Sequence, residues 1–242
     1  MIRWADLTFR TMDPGERLQA GRQAAREHRY QEALEHYVWF HEHALEHDDA
    51  YYGVRLSFAL ASWAQLGESY PLAFEALKEI RDRKTKLLLE GAGDHDAFND
   101  VAAINQYLHE DDFTSGLFRD LSTKLPELAK QCSETAMPAL VKAKDYDLAR
   151  SFVENAEEIL RGWSTRLNEQ IASSEREPKT RAPVRDAYTR IYSEDVHNLL
   201  EIFIGTGEIR EAARLRELAV AVVVAPDIRE TVQQALSNLP LA

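Results

Sequence analysis

The feature that most constrains this chain is a short pattern that returns five times: a bulky residue, then a small one three positions later, at the start of an amphipathic stretch. The pairs are Tyr30/Ala33, Tyr70/Ala73, Phe113/Gly116, Tyr146/Ala149 and Ile209/Ala212, and the bulky residues come after polar turns such as Glu27-His28-Arg29 or Gly205-Thr206-Gly207-Glu208. Residues i and i+3 share a helix face. A small side chain there lets a second helix approach closely, while the bulky one fills the wedge at the turn. Recurrence at intervals of roughly 40 residues, the last longer, predicts stacked helical hairpins. Arrays of that kind bind other molecules far more often than they catalyse.

Composition narrows the partners. The formal net charge of −12 opposes general nucleic-acid binding, which needs a basic surface. It leaves room for a basic partner. A hydrophobic content of 45% is enough for a proper core, and ten Gly and eight Pro are too few for long fibrous or low-complexity segments. The single Cys132 precludes an intramolecular disulfide framework and reads as a small buried hydrophobe. The opening run Met1-Ile2-Arg3-Trp4-Ala5-Asp6-Leu7 is broken by charge, so no signal peptide is expected. The longest apolar run, Leu218 to Ala225, is far short of the ~20 residues a membrane span needs. The expected location is cytoplasmic.

Along the chain, Asp13-Pro14 predicts a helix start, with Asp13 as N-cap and Pro14 at the first helical position. The second helix carries Tyr30, Ala33, Leu34, Tyr37, Phe40 and Ala44 on one face. A second hairpin runs from about Tyr51 to Leu66, turns at Gly67 and continues from Tyr70 to Leu89, closed by Gly91-Ala92-Gly93. Asp96–Leu108 and Phe113–Leu121 form a third pair, and Pro126 starts the next helix. Tyr146 begins a long helix reaching about Ile171. Residues 173–183 read as a linker. Val184–Ile204 and Ile209–Val224 make the fifth pair, and a helix over Asp227–Leu239 caps the end. The expected division is an N-terminal segment 1–12, one array over 13–225, and a capping helix with its tail over 226–242.

The hairpin pattern resembles the tetratricopeptide repeat, whose second helix carries an aromatic residue followed by Ala three positions on. Gly21 falls nine residues before Tyr30, where that family favours Gly, and Gly207 falls two before Ile209, a favoured turn position. Ala156 and Ala219 sit where the second helix has its later Ala. No unit carries the full first-helix signature, and most intervals exceed the family's ~34 residues. The resemblance implies an all-α, right-handed α-solenoid of about five helical hairpins with a C-terminal capping helix. It also implies that the first helices line a concave groove for a protein or peptide partner.

In such a groove Arg22 and Arg26, one turn apart, point inward, with Arg55 from the next unit nearby. Paired Arg side chains suit a carboxylate or an acidic peptide. The competing reading is that they form salt bridges on a solvated surface. The carboxylate clamp of chaperone-binding family members needs a basic residue where this chain has Leu18, so that particular function is not supported. Asp94, Asp96, Asp100, Glu110, Asp111 and Asp112 form an acidic stretch with no Lys or Arg between Gly91 and Ser115. This is a docking surface for a basic protein, with Asp111 and Asp112 its candidates, or it is helix capping and a solvated face. Trp39 sits among Glu32, Glu35, Glu42 and Glu46, as a partner anchor or covered by Ile2, Trp4, Leu7 and Phe9.

His43-Ala44-Leu45-Glu46-His47 reads H-x-x-E-H, an inverted zinc-protease motif that would place two imidazoles and a carboxylate on adjacent turns. Its position beside the apolar stripe of Tyr37, Phe40 and Ala44, and the absence of a recognisable third ligand downstream, favour a chance match. The expectation is therefore a non-enzymatic, cytoplasmic adaptor or scaffold with no cofactor. It would engage a protein or peptide rather than nucleic acid or a membrane. An acidic inhibitor of a basic toxin or nuclease, and a zinc hydrolase using His43, Glu46 and His47, are the alternatives.

Overall fold

Asp13 opens the first helix as its sequence predicts: its carboxylate accepts the Gly15 N–H at 2.7 Å, and Glu16 reaches back to accept the Asp13 N–H at 3.2 Å. The computed structural model describes residues 12–176 and 181–239, and these are helical with no strand among them. The N-terminal apolar residues Ile2, Trp4, Leu7 and Phe9, and part of the expected linker, lie outside the described residues.

Helices α1 (Pro14–Arg26) and α2 (Tyr30–His47) are joined by a turn in which His28 takes a left-handed conformation, φ 60°. Next come α3 (Tyr51–Val54), a π-helical turn over Arg55–Ala59, α4 (Leu60–Ser69) and α5 (Leu72–Leu89). Gly91, at φ 73°, ends α5: it donates to the Leu88 carbonyl at 3.1 Å, and Ala92 donates to Leu87 at 2.9 Å. Asp94 caps α6 (His95–Leu108) by accepting from the Ala97 N–H at 2.9 Å. The remaining helices are α7 (Asp111–Lys124), α8 (Pro126–Lys142), α9 (Tyr146–Ser151), α10 (Ala156–Ser174), α11 (Arg181–Gly205), α12 (Ile209–Ala221) and α13 (Pro226–Ala235).

The chain gathers into two compact units, Met1–Cys132 and Ser133–Ala242, with the boundary inside α8. In the first unit α1 packs on α2, α2 on α4, α4 on α5 and α5 on α6. Phe40, Leu60, Trp63, Leu77 and Ile104 form its buried centre. In the second unit α11 is the central element, in contact with α9, α10, α12 and α13. Tyr192, Leu199 and Phe203 of α11 are buried, as are Leu160, Trp163 and Leu167 of α10. Asn168 fastens the end of α12, donating to the Val222 carbonyl and accepting the Val224 N–H, each at 3.0 Å. The helix therefore stops at Ala221, short of the β-branched Val222, Val223 and Val224.

Of the five small residues, Ala33, Ala73, Ala149 and Ala212 are buried. The Phe113/Gly116 pair behaves differently. Phe113 is 61% exposed, and a Cβ on Gly116 would meet nothing, because α7 buries Thr114, Leu117 and Phe118 instead. Tyr70 lies before its helix, where it ends α4. Gly67 is not the turn but part of α4, where Phe74 lies so close that a Cβ would come within 2.6 Å of its ring. The long helix expected from Tyr146 is broken after Ser151. Asn155, whose side-chain Oδ1 accepts the Glu158 N–H at 3.1 Å, starts a new helix, and Val153 is buried in the break. Asn155 and Glu158 carry the spacing of an N-terminal cap, so this boundary has a sequence signal of its own. Of the expected linker, residues 173 and 174 belong to α10 and 181–183 to α11. The terminal helix buries Ile228 and Val232, and Leu236 and Leu239 beyond its end are buried too, whereas Ala235 is exposed.

Cys132 is fully buried, and burial first, with Asp94 second, pushes its thiol up to about 12. That is the behaviour of a packing residue, not of a nucleophile.

Candidate functional site

Arg22 and Arg26 project from one side of α1 into a concavity of ≈ 550 Å³ whose opposite wall is α4. Ser62, Gln65 and Ser69, spaced about one turn apart on α4, line that wall, and Tyr30 and Tyr37 of α2 close it. Arg22 is held in place: its Nε donates to Ser62 Oγ at 3.0 Å, and Ser62 Oγ donates to the Phe58 carbonyl at 2.9 Å. Tyr30 is braced by a stack on Tyr70 (5.9 Å, 30°) and by a 2.7 Å hydrogen bond between its hydroxyl and His28 Nδ1. No Asp or Glu lines the concavity, and neither Arg22 nor Arg26 forms an ion pair with a described residue.

Arg55 does not join them. It is only 4% exposed, with Nη2 at 2.7 Å from Asp100 Oδ1 and Nη1 at 3.3 Å from His41 Nε2. Lys84 Nζ completes the group at 2.6 Å from Asp100 Oδ2. The π-helical turn supplies the reason. In a regular helix Arg55 and Ser62, seven residues apart, share a face. A π turn inserts one extra residue and rotates the helix before it by roughly 100° relative to the helix after it. Ser62 thus faces Arg22 while Arg55 turns toward α6. Burial is the main cause that lowers the His41 pKa, to about 4; Asp100 opposes this and Arg55 adds to it. The imidazole is neutral at neutral pH. A lone Arg within Val54-Arg55-Leu56 and a lone Asp before Val101 are the sequence signals for this buried pair.

The acidic stretch is largely engaged within the chain. Asp94 caps α6, Asp96 accepts from the Tyr52 hydroxyl at 2.9 Å, and Asp100 is buried with Arg55 and Lys84. Glu110 pairs with Arg81, which lies over the Phe113 ring at 4.9 Å, and with Lys78 at 3.9 Å. Asp111 and Asp112 occupy the first turn of α7, where carboxylates complement the helix dipole. Asp112 is exposed and Asp111 partly so.

Trp39 is partly exposed and lies beneath the buried Arg17 guanidinium, 3.9 Å from the ring centre. The rings of His43 and His47 sit against the same indole at 5.4 and 5.6 Å. His43 Nδ1 is 3.0 Å from Glu46 Oε1. Among the described residues no group of three or more His, Cys, Asp or Glu side chains is arranged to hold a metal ion.

Comparison of the chain with protein-family models, with curated proteins and with solved structures finds no significant match. No helix among the described residues is long and apolar enough to cross a membrane.

Proposed function

We propose that this chain is a non-enzymatic binding protein whose first unit holds an acidic peptide or protein segment in the α1–α4 concavity. The observation that carries this reading is the pair Arg22 and Arg26: two cations on one wall, without carboxylate partners, in a chain of net charge −12. Cations left uncompensated in an acidic chain create a local field that attracts negative groups. Tyr30 and Leu66 supply apolar surface beside them. Arg55, buried with Asp100, takes no part in binding. A tetratricopeptide-like array, an adaptor or scaffold role and a cytoplasmic location belong to the same reading, supported by the buried Ala33, Ala73, Ala149 and Ala212 near helix starts. The inhibitor alternative, working through an acidic face, would use Asp111 and Asp112 in the first turn of α7.

The test is a titration of the full chain with a short fluorescent peptide of alternating Asp and Leu. Charge-assisted pairs are worth ~1.5–3 kcal/mol each. The Arg22→Ala/Arg26→Ala protein should therefore bind at least roughly tenfold more weakly, ~1.4 kcal/mol or more, and wild-type affinity should fall with salt. Binding that is indifferent to the double substitution, or no binding at all, sinks the proposal.

A further inference from the structure

The concavity contains a third donor that an acidic peptide in general does not require. Tyr37 is 2% exposed, yet it lines the concavity. Its ring is fixed on two sides. It stacks on Trp63 at 6.4 Å, and it lies against Gly21 so tightly that a Cβ there would come within 2.8 Å of Cε1. The Tyr37 hydroxyl makes no hydrogen bond to a described residue. The hydroxyl opens onto the concavity rather than being sealed from solvent, so a ligand entering there can accept its hydrogen bond in place of water. Burial raises its pKa while Arg22 and Arg26 lower it, so both cations act on the same oxygen.

Arg22 keeps Nη1 unengaged, since its Nε is taken by Ser62 and its Nη2 lies 3.4 Å from the Phe58 carbonyl. Arg26 donates to no described residue. The concavity therefore offers two full positive charges, two sets of guanidinium donors and one phenol. A carboxylate balances one of those charges and presents two oxygens. A phosphate monoester carries about −1.5 to −2 at neutral pH and presents three. Arginine forks suit that set of oxygens better than a point charge would.

Resting on the reading of this concavity as a site for acidic segments, we propose that its ligand is a phosphorylated side chain within such a segment, bound by Arg22, Arg26 and the Tyr37 hydroxyl. A nucleic acid would bring a string of phosphates against a chain of net charge −12, which opposes it. A single phosphoryl group with a few flanking residues matches a space of ≈ 550 Å³.

The experiment compares four probes by calorimetry on the full chain: a five-residue Gly-Asp-phosphoserine-Asp-Gly peptide, the same peptide with Glu for phosphoserine, the unphosphorylated peptide, and inorganic phosphate. The phosphopeptide should bind roughly tenfold or more tightly than the Glu peptide, with the unphosphorylated peptide and inorganic phosphate weaker still. Tyr37→Phe keeps the ring and removes only the hydroxyl. It should cost the phosphopeptide roughly tenfold and the Glu peptide distinctly less. Arg26→Gln, on an exposed side chain that does not endanger folding, should weaken both peptides. Equal binding of the phosphopeptide and the Glu peptide, insensitive to Tyr37→Phe, overturns this inference and leaves the acidic-segment reading standing. Inorganic phosphate binding as tightly as the phosphopeptide also overturns it, in favour of a free-anion site. Failure of both peptides to bind removes this inference and the reading beneath it together.

Discussion

Gly205 and Tyr146 meet so closely that a Cβ on the glycine would lie 2.1 Å from Tyr146 Cδ2. The ring at the start of α9 fills the space that the end of α11 leaves free. Replacing Gly205 with Ala must displace an aromatic ring, and overpacking of this kind costs ~1–3 kcal/mol. Gly162, exposed in the middle of α10, meets nothing within 4 Å. Gly162→Ala should instead stabilise by ~0.5–1 kcal/mol, because only the backbone entropy of the unfolded chain changes. Urea unfolding of the two variants should move in opposite directions. A Gly205→Ala protein as stable as wild type would mean that the ring yields to the new methyl group without cost.

The two units should respond oppositely to acid. His41 titrates at about 4 in the folded chain, against an ordinary value of 6.5. Between those values the unfolded chain binds more protons, so the first unit loses stability as pH falls from 6.5 and levels off below 4. The contribution is on the order of 3 kcal/mol. Asp195 is the reverse: burial, then Glu134 and Glu194 acting against Arg166, raises it from 3.8 to about 6. Its contribution is complete below 3.8 and is lost as pH rises through 6. Amide hydrogen exchange at pH 4.5 and 6.5 should show α2 and α4 opening more readily at the lower pH, with α10 and α11 slowing or unchanged. His41→Asn should flatten the response of the first unit. A slope that persists in that variant would assign the effect to other groups.

Asp100 neutralises a cation that has no access to water. Asp100→Asn leaves Arg55 buried with only His41 and should destabilise by about 3–5 kcal/mol. The double variant Arg55→Met/Asp100→Leu removes both charges and should be markedly more stable than the single one. Comparison of their thermal unfolding midpoints decides it. A double variant worse than Asp100→Asn would show that the ion pair is worth more than an apolar replacement.

The H-x-x-E-H sequence should be inert toward zinc. His43 and His47 face the Trp39 ring, and Glu46 is engaged by His43. Equilibrium dialysis of the untagged protein against micromolar zinc should recover well under one equivalent. His43→Ala/His47→Ala should change stability by no more than ~0.5 kcal/mol, the range of surface substitutions. One tightly held equivalent, lost in the double variant, would reverse that assignment.

Much of the helical order is legible in the residues because it rests on local chemistry. Asp13-Pro14, Gly91 and the apolar stripe Ala33, Leu34, Tyr37, Phe40, Ala44 each act over one or two turns, and each appears as read. Arg22 and Arg26 share a wall for the same reason: a spacing of four places them on one face. Arg55 escapes such a reading because its direction is set by a π turn, and nothing in Arg55-Leu56-Ser57-Phe58-Ala59 distinguishes that turn from an ordinary helix. Phe113 escapes it because periodicity cannot tell which of two adjacent residues, Phe113 or Thr114, a neighbouring helix will cover. The place of Tyr37 in the wall of the concavity is hidden by its burial: a tyrosine on an apolar stripe reads as core until the space around its hydroxyl is seen.

The π turn has a genetic consequence. It is a regular helix carrying one surplus residue. Loss of a single codon within 56–59 would give a regular helix in which Arg55 and Ser62 stand six residues apart, about 240° around the axis, which is where the π turn already holds them. A three-base deletion should therefore remove the surplus residue and still leave Arg55 directed at Asp100, so the gene can lose the turn without losing the buried ion pair.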